Sequence, residues 1–486
     1  MISVHSGHFR VRLLSKAIVL ATALSGLTAS AAWRASGPYG GDAELVRVVA
    51  GVPGRVIAGT RNGLIFLSDN GGAAWRNLGF PAQFSGVLHA LEVDPRSPGT
   101  WFVGIGGENS WVNGVYKTCD SGQSWSLLPA TKGLSVWSLA LWPENPDVIA
   151  AGTGTGVFLS RNAGEKWARI SPEGNTDLKP VVSLAFHPAD SRILYAGTTH
   201  LPWRTTDGGA NWESIHEGMI DDSDVFSIQV DPFNPDRVLA SACSGVYQSS
   251  NQAALWRRLE TPKGAFRTHF VAFNPKHTDT IFAGTTEGLL KSLDGGANWR
   301  IVSTESVKSI AFDPAVPGRI FFASPTGGLL LSTDGGNTLR TVNVGFTNRN
   351  FTTLTGSGNQ LYSSSVYEPS AGIFRTDSMG LRWVHGPGPT SDQLLLLTVA
   401  PDNALHLFAA GYHSLSESKD GGKTWIVRKG PPGGTRLTAL MALKTNVLLA
   451  GTDAGVFRSA DGGGAWTKSS STVVESLHGG NGWIAA

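Results

Sequence analysis

One eight-residue pattern, S/T-x-D/N-x-G-x-x-W, returns ten times along this chain, and its return limits the chain to a repeat architecture. It reads SDNGGAAW from Ser68, TCDSGQSW from Thr118, SRNAGEKW from Ser160, TTDGGANW from Thr205 and SSNQAALW from Ser249. It continues as SLDGGANW from Ser292, STDGGNTL from Ser332, TDSMGLRW from Thr376, SKDGGKTW from Ser418 and SADGGGAW from Ser459, with starts 40–50 residues apart. Before most octets an apolar run ends in a proline corner, as at Asp94-Pro95, Trp142-Pro143, His187-Pro188, Asp231-Pro232, Asn274-Pro275 and Asp313-Pro314. Short apolar strands follow, VIAAGT at 148–153 or ILYAGT at 193–198, then GVFLS at 156–160, which runs into the octet. A unit of ~40–45 residues carrying four strands is the signature of a propeller blade. The expected fold class is therefore all-β: a β-propeller of four-stranded antiparallel blades, about ten of them, each with the octet between its third and fourth strands.

The octet's composition has a physical reason. Asp-Gly and Asn-Gly between strands mark a turn that needs positive φ. The acidic or amide side chain bonds back to turn backbone, and the Trp supplies a large apolar anchor with one N–H to satisfy. On this reading Asn70, Asp120, Asn162, Asp207, Asn251, Asp294, Asp334, Asp420 and Asp461 are structural. Three octets depart from the pattern: Ala253 stands for Gly, Leu339 for Trp and Ser378 for Asp.

Residues 1–32 read as a secretory signal peptide. Arg10, Arg12 and Lys16 precede the apolar Ala17–Leu27, and Ala29-Ser30-Ala31 is the small-residue cleavage site. An apolar run of eleven residues falls short of the ~20 that span a bilayer, so the expectation is an exported protein, periplasmic or extracellular, with no membrane span in the mature chain. The mature propeller then covers 33–486, its last strands at 472–486 forming a partial repeat. Cys119 and Cys243 lie in repeats 2 and 5, too far apart to pair. The 39 basic and 37 acidic residues are scattered, without the stripe that tracks phosphates, so nucleic acid is not an expected partner.

At this point the chain resembles the BNR/Asp-box family, whose S-x-D-x-G-x-T-W motif sits between the third and fourth strands of propeller blades. Similar repeats occur in sialidases, xyloglucan-degrading glycosidases, sortilin-type receptors and a photosystem II assembly factor. Sortilin-type propellers have ten blades, and that resemblance favours one ten-bladed ring here over two smaller ones. Xyloglucanase-like proteins carry two seven-bladed domains, for which ten repeats are too few. The sialidase likeness lacks an Arg-Ile-Pro segment; the nearest string is Arg169-Ile170-Ser171.

Metal-protease, nucleophile-elbow and CxxC patterns are absent. Gly421-Gly422-Lys423-Thr424 is the ninth octet and not a phosphate loop, and Asp221–Asp224 reads as a solvated acidic turn. No cofactor or metal ion is expected. Candidate ligand-binding residues come from the longer loops between second and third strands: Trp111, His200, Trp203, Tyr367, Tyr412 and His413. Glu108 and Glu368 are the loop carboxylates nominated for catalysis, but six repeats apart in a wide ring they would not flank one glycosidic bond. The leading expectation is a monomeric binding module, not an enzyme, for a protein, peptide or carbohydrate. The alternatives are a glycoside hydrolase of sialidase or xyloglucanase type and an assembly factor for an envelope complex.

Overall fold

The computed structural model describes residues 37–486 apart from 222, 263–266, 366–371, 381, 390–395, 433–435, 481–482 and 486. The signal-peptide expectation falls outside the described residues. No helix among those described is long and apolar enough to cross a membrane.

Among the described residues ten four-stranded antiparallel sheets follow one another, each made of four consecutive strands, here a to d. Sheet 1 comprises Leu45–Val48, Val56–Gly59, Ile65–Ser68 and Arg76–Asn77; sheet 10 comprises Leu437–Lys444, Val447–Thr452, Gly455–Ser459 and Thr467–Ser470. Strand a of sheets 2 to 9 is Val87–Val93, Val136–Leu141, Val181–Phe186, Val225–Val230, Thr268–Asn274, Ser309–Phe312, Phe351–Ser357 and Leu396–Ala400. A two-stranded eleventh sheet, His478–Gly480 with Trp483–Ala485, comes last. The strands b of sheets 3 and 4, Ile149–Thr153 and Leu194–Thr198, are buried along their length, because both faces of these sheets pack on neighbours.

Hydrophobic cores form between sheets, and their membership gives the order of neighbours. Sheets 1 and 2 share a core around Ile57, Leu67, Leu91 and Trp101, and further cores join each consecutive pair as far as sheets 6 and 7. Sheet 7 then packs back on sheet 1, where Phe321, Leu331, Val342 and Phe346 meet Val46, Val56, Phe66 and Trp75. The octet Trp repeats the message. Trp212 and Trp256 each donate their indole N–H to a carbonyl of the preceding sheet, Ile170 and Ile215, and Trp75 of sheet 1 donates to Val342 of sheet 7 at 2.7 Å. Separate cores join sheets 8 to 9 and 9 to 10, and among the described residues none joins 7 to 8. The expected single ring of ten is thus corrected: the circuit of neighbours closes after seven sheets, and sheets 8–10 form a second row. Repeat count does not set ring size; the angle between packed sheets does.

The two arrays meet where the chain enters sheet 1 and leaves sheet 7. Gly40–Gly41 pairs in parallel with Thr347–Asn348, Arg349 lies over the Phe374 ring of sheet 8, and Gly37 abuts Trp383, the octet Trp of sheet 8.

The octets are hydrogen-bonded turns. In the fourth, Thr205 Oγ1 donates to Asp207 Oδ1 and accepts from the Gly209 amide, while Asp207 accepts from the Asn211 amide and side chain. Asn70, Asn162 and Asn251 make the matching bonds with an amide oxygen. In the eighth octet the Ser378 hydroxyl accepts from the Arg382 amide where a carboxylate would. Ala253, the residue in the second Gly position of the fifth, is held at φ +66. Both cysteines are free thiols.

Candidate functional site

Strand a begins where strand b ends, so the b–c loops and the starts of the innermost strands share one end of the circuit. There the pairing slips by one residue at the same step in five sheets. Val136 pairs with Thr153 but Ser138 with Gly152, which leaves Trp137 as an extra residue. The same slip leaves His89, Val182, Phe226 and His269. In sheets 1 and 7 regular pairing starts one residue after Glu44 and Lys308, whose amides bond Gly59 and Ala323. A β-bulge re-aims a side chain, and here the five bulge residues together with Glu44 and Lys308 form a ring at the mouth of the circuit, all half-buried.

Three pairs of ring neighbours touch. His89 stacks on Trp137 with centroids 4.3 Å apart, Phe226 tilts against His269, and Lys308 Nζ lies 3.5 Å from Glu44. Arg267 covers the Phe226 ring. Burial, with Arg61 adding to it, brings the His89 imidazole down to about 4. His269 also drops to about 4, first through burial and then through Lys308 and Arg267, against an opposing pull from Glu287. Both rings are therefore neutral at pH 7, each one donor and one acceptor. One layer further along the innermost strands, Arg47 pairs with Glu92 at 2.9 Å and donates to Ser309.

In the second row the corresponding extra residues are small, Thr352 in sheet 8 and Thr438 in sheet 10. A cavity of about 400 Å³ lies beside Thr438, lined by Leu396, Tyr412, Arg436, Leu437 and Glu475, and Arg436 stacks over the Tyr412 ring.

The residues nominated from sequence are dispersed over these features. Tyr412 lines the cavity, and His413 beside it is exposed. Trp111 stands 67% exposed in the b–c loop of sheet 2, next to exposed Glu108. His200 is exposed in the b–c loop of sheet 4, its amide on Thr198 Oγ1. Trp203 is corrected from loop to strand: it pairs with Ala196 in strand c and packs against the sheet 3–4 core. Tyr367 and Glu368 lie outside the described residues. The bulge ring was not anticipated, although a signal for it exists: V-x-S-L/I recurs as Val136–Leu139, Val181–Leu184, Val225–Ile228 and Val307–Ile310, with x the residue that reaches the mouth.

No protein-family model matches the chain. An oligoxyloglucan-reducing-end-specific xyloglucanase from Emericella nidulans is 42% identical over 74 residues, 15% of this chain and 9% of that protein. A xyloglucanase from Acetivibrio thermocellus is 24% identical over 364 residues, 58% of this chain and 42% of the relative. The chain thus matches less than half the length of either curated relative. Among solved structures, a GH74 enzyme from Niastella koreensis superposes with a TM-score of 0.71 at 19% identity, covering 90% of this chain and 74% of that one. The GH74 xyloglucanase from Xanthomonas campestris gives 0.57 at 14% identity, covering 90% and 88%. These likenesses establish a GH74-like propeller fold. They also overturn the leading expectation of a non-catalytic binding module, because the proteins that this chain resembles in sequence and in fold are glycoside hydrolases.

Proposed function

We propose that the chain is an exported glycoside hydrolase acting on a branched β-glucan of the xyloglucan type. The observation that carries this reading is the agreement of two independent likenesses: the matched sequence segments belong to xyloglucanases, and 90% of the chain follows the path of a GH74 enzyme. The seven-sheet circuit supports it as well. The seven-bladed domains that the xyloglucanase resemblance implies agree with a circuit that closes at seven sheets.

Hydrolysis needs one carboxyl group as general acid and a second as base or nucleophile. Loop-face carboxylates available for these roles include Glu108, Glu287, Glu305, Asp453 and Glu475 among the described residues, and the sequence adds Glu368 as a sixth candidate. The test is release of reducing ends from xyloglucan by residues 33–486, with unbranched β-glucan and sialylated glycans as controls. Activity on xyloglucan that falls at least 100-fold in one of the six carboxylate-to-amide variants is the expected result. No release from any glycan at high protein concentration would reject the reading.

A further inference from the structure

We propose that the mouth of the seven-sheet circuit is a carbohydrate-binding site in its own right, which seats the end of a short uncharged oligosaccharide against Trp137 and Phe226. The proposal rests on the glycan reading above but not on hydrolysis.

Three observations support it. The first is that the bulge recurs at one step in five sheets, so the ring is built by backbone geometry and not by chance rotamers. Bulges gather where a side chain must be re-aimed.

The second is that the aromatic members are not needed for packing. Trp137 and Phe226 belong to none of the inter-sheet cores, which are made by the flanking Val136, Leu139, Val225 and Ile228. The indole N–H of Trp137 makes no hydrogen bond among the described residues, and such a group normally has a partner. A pyranose laid on the ring would bring its apolar face to the aromatic surface and a hydroxyl to that N–H.

The third is the polar complement. Arg61, Arg267 and Lys308 stand on the rim with Glu44 and Glu287, and the imidazoles of His89 and His269 lie between them uncharged. Of these, only Lys308 and Glu44 are joined in an ion pair among the described residues. Neither sign dominates, which disfavours a phosphate or a strongly charged peptide. A ligand with many hydroxyls and no charge can use donors and acceptors of both kinds.

The probe is cellotetraose, with tri-galacturonate as the anionic control, followed by calorimetry and by indole fluorescence. Saturable cellotetraose binding is expected, weakened at least tenfold in Trp137→Ala and in Phe226→Ala, with tri-galacturonate bound more weakly than cellotetraose. Trp137→Phe keeps a ring and should retain most of the affinity, which separates lost stacking from a misfolded blade. Unchanged affinity in a folded Trp137→Ala protein would overturn the proposal, as would absence of cellotetraose binding or preference for the anion. If hydrolysis fails but Trp137-dependent binding persists, this site stands and the enzymatic reading falls. If hydrolysis occurs while Trp137→Ala binds normally, the reverse holds.

Discussion

The seven-sheet circuit and the row that follows it are built from one repeat but use equivalent positions differently. At the bulge step the circuit displays His89, Trp137, Phe226 and His269, whereas the row displays Thr352 and Thr438. The second contrast lies on strand c, one residue before the octet. In sheets 2, 4 and 6 that residue is Lys117, Arg204 or Lys291, and each donates to a carbonyl in the octet of the next sheet. In sheet 9 it is Glu417, which has no proton to donate. It is instead buried with His406 and bridged by Arg428 and Lys419. In sheet 8 Arg375 keeps the stitch, donating to the Gly421 carbonyl of the ninth octet, so it is at sheet 9 that a charge cluster inside a single sheet replaces it. The comparison teaches that a shared repeat fixes the blade, while how tightly blades are tied together is set by a few positions at their seams.

The first expected effect follows from that cluster. Glu417 is 1% exposed and His406 2%, so Glu417→Ala leaves the His406 ring and the Arg428 guanidinium without their partner. Removing one member of a buried pair costs about 3–5 kcal/mol. Arg428 is 31% exposed and can turn to water, which puts the expectation at the low end. Hydrogen exchange at Phe408 and Ala409 should speed up accordingly, while amides of sheet 3 stay protected. A loss under about 1 kcal/mol would mean that the cluster contributes no more than the surface pairs elsewhere.

The glycines of the octets sharpen the contrast in packing. Gly296 and Gly422 occupy the same octet position at φ +92 and φ +80, where a Cβ costs about 1–2 kcal/mol for conformation alone. At Gly296 the added atom would also lie 2.5 Å from Leu259 Cδ1, while at Gly422 its nearest neighbour is Leu407 Cδ1 at 3.5 Å. Overpacking adds about 1–3 kcal/mol, so Gly296→Ala should destabilise by about 2–5 kcal/mol and Gly422→Ala by only about 1–2. Equal losses in urea denaturation would show that the two seams are equally tight.

The blade was legible because its signals are local. A Trp with one N–H to satisfy, a turn needing positive φ and a run of buried residues can each be read from a window of ten. Ring size was not, since closure depends on sheet 1 meeting sheet 7, contacts such as Trp75 with Val342 across 267 residues, and nothing within one repeat encodes them. The candidate site was legible only in fragments. Attention to loop length found Tyr412 but misplaced Trp203, because Pro202 looks like a loop residue and instead opens strand c. The bulge ring is written in the V-x-S-L pattern, but a one-residue slip in pairing leaves no mark in hydrophobic periodicity, so its geometric meaning appears only with the register.

The smallest effect separates octets by chemistry. Hydrogen bonds to turn donors hold the carboxyls of Asp120, Asp207 and Asp294 at about 2, led by the Ser124 side chain, the Asn211 amide and the Asn298 side chain respectively. Asp420 and Asp461 are depressed for the same kind of reason, with the Thr424 side chain and the Ala465 amide leading. A folded-state value below the ordinary ~3.9 means that the stabilisation is complete above pH ~4 and lost as pH falls towards 2. Asn70, Asn162 and Asn251 make the same bonds without a titrating group, so sheets 1, 3 and 5 should be indifferent to acid while both octets of sheets 9 and 10 respond. Sheets 2, 4, 6, 7, 9 and 10, whose octets carry a depressed Asp carboxyl, should therefore loosen before sheets 1, 3 and 5 between pH 4 and 2, read by hydrogen exchange. Asp207→Asn should remove the acid response of sheet 4 while leaving stability at pH 7 nearly unchanged, because the amide oxygen still accepts from the turn. Carboxyl carbon titration gives the independent check: a midpoint near 4 for Asp207 would mean that its turn bonds do not persist in solution, and the acid contrast between Asp and Asn octets would lose its cause.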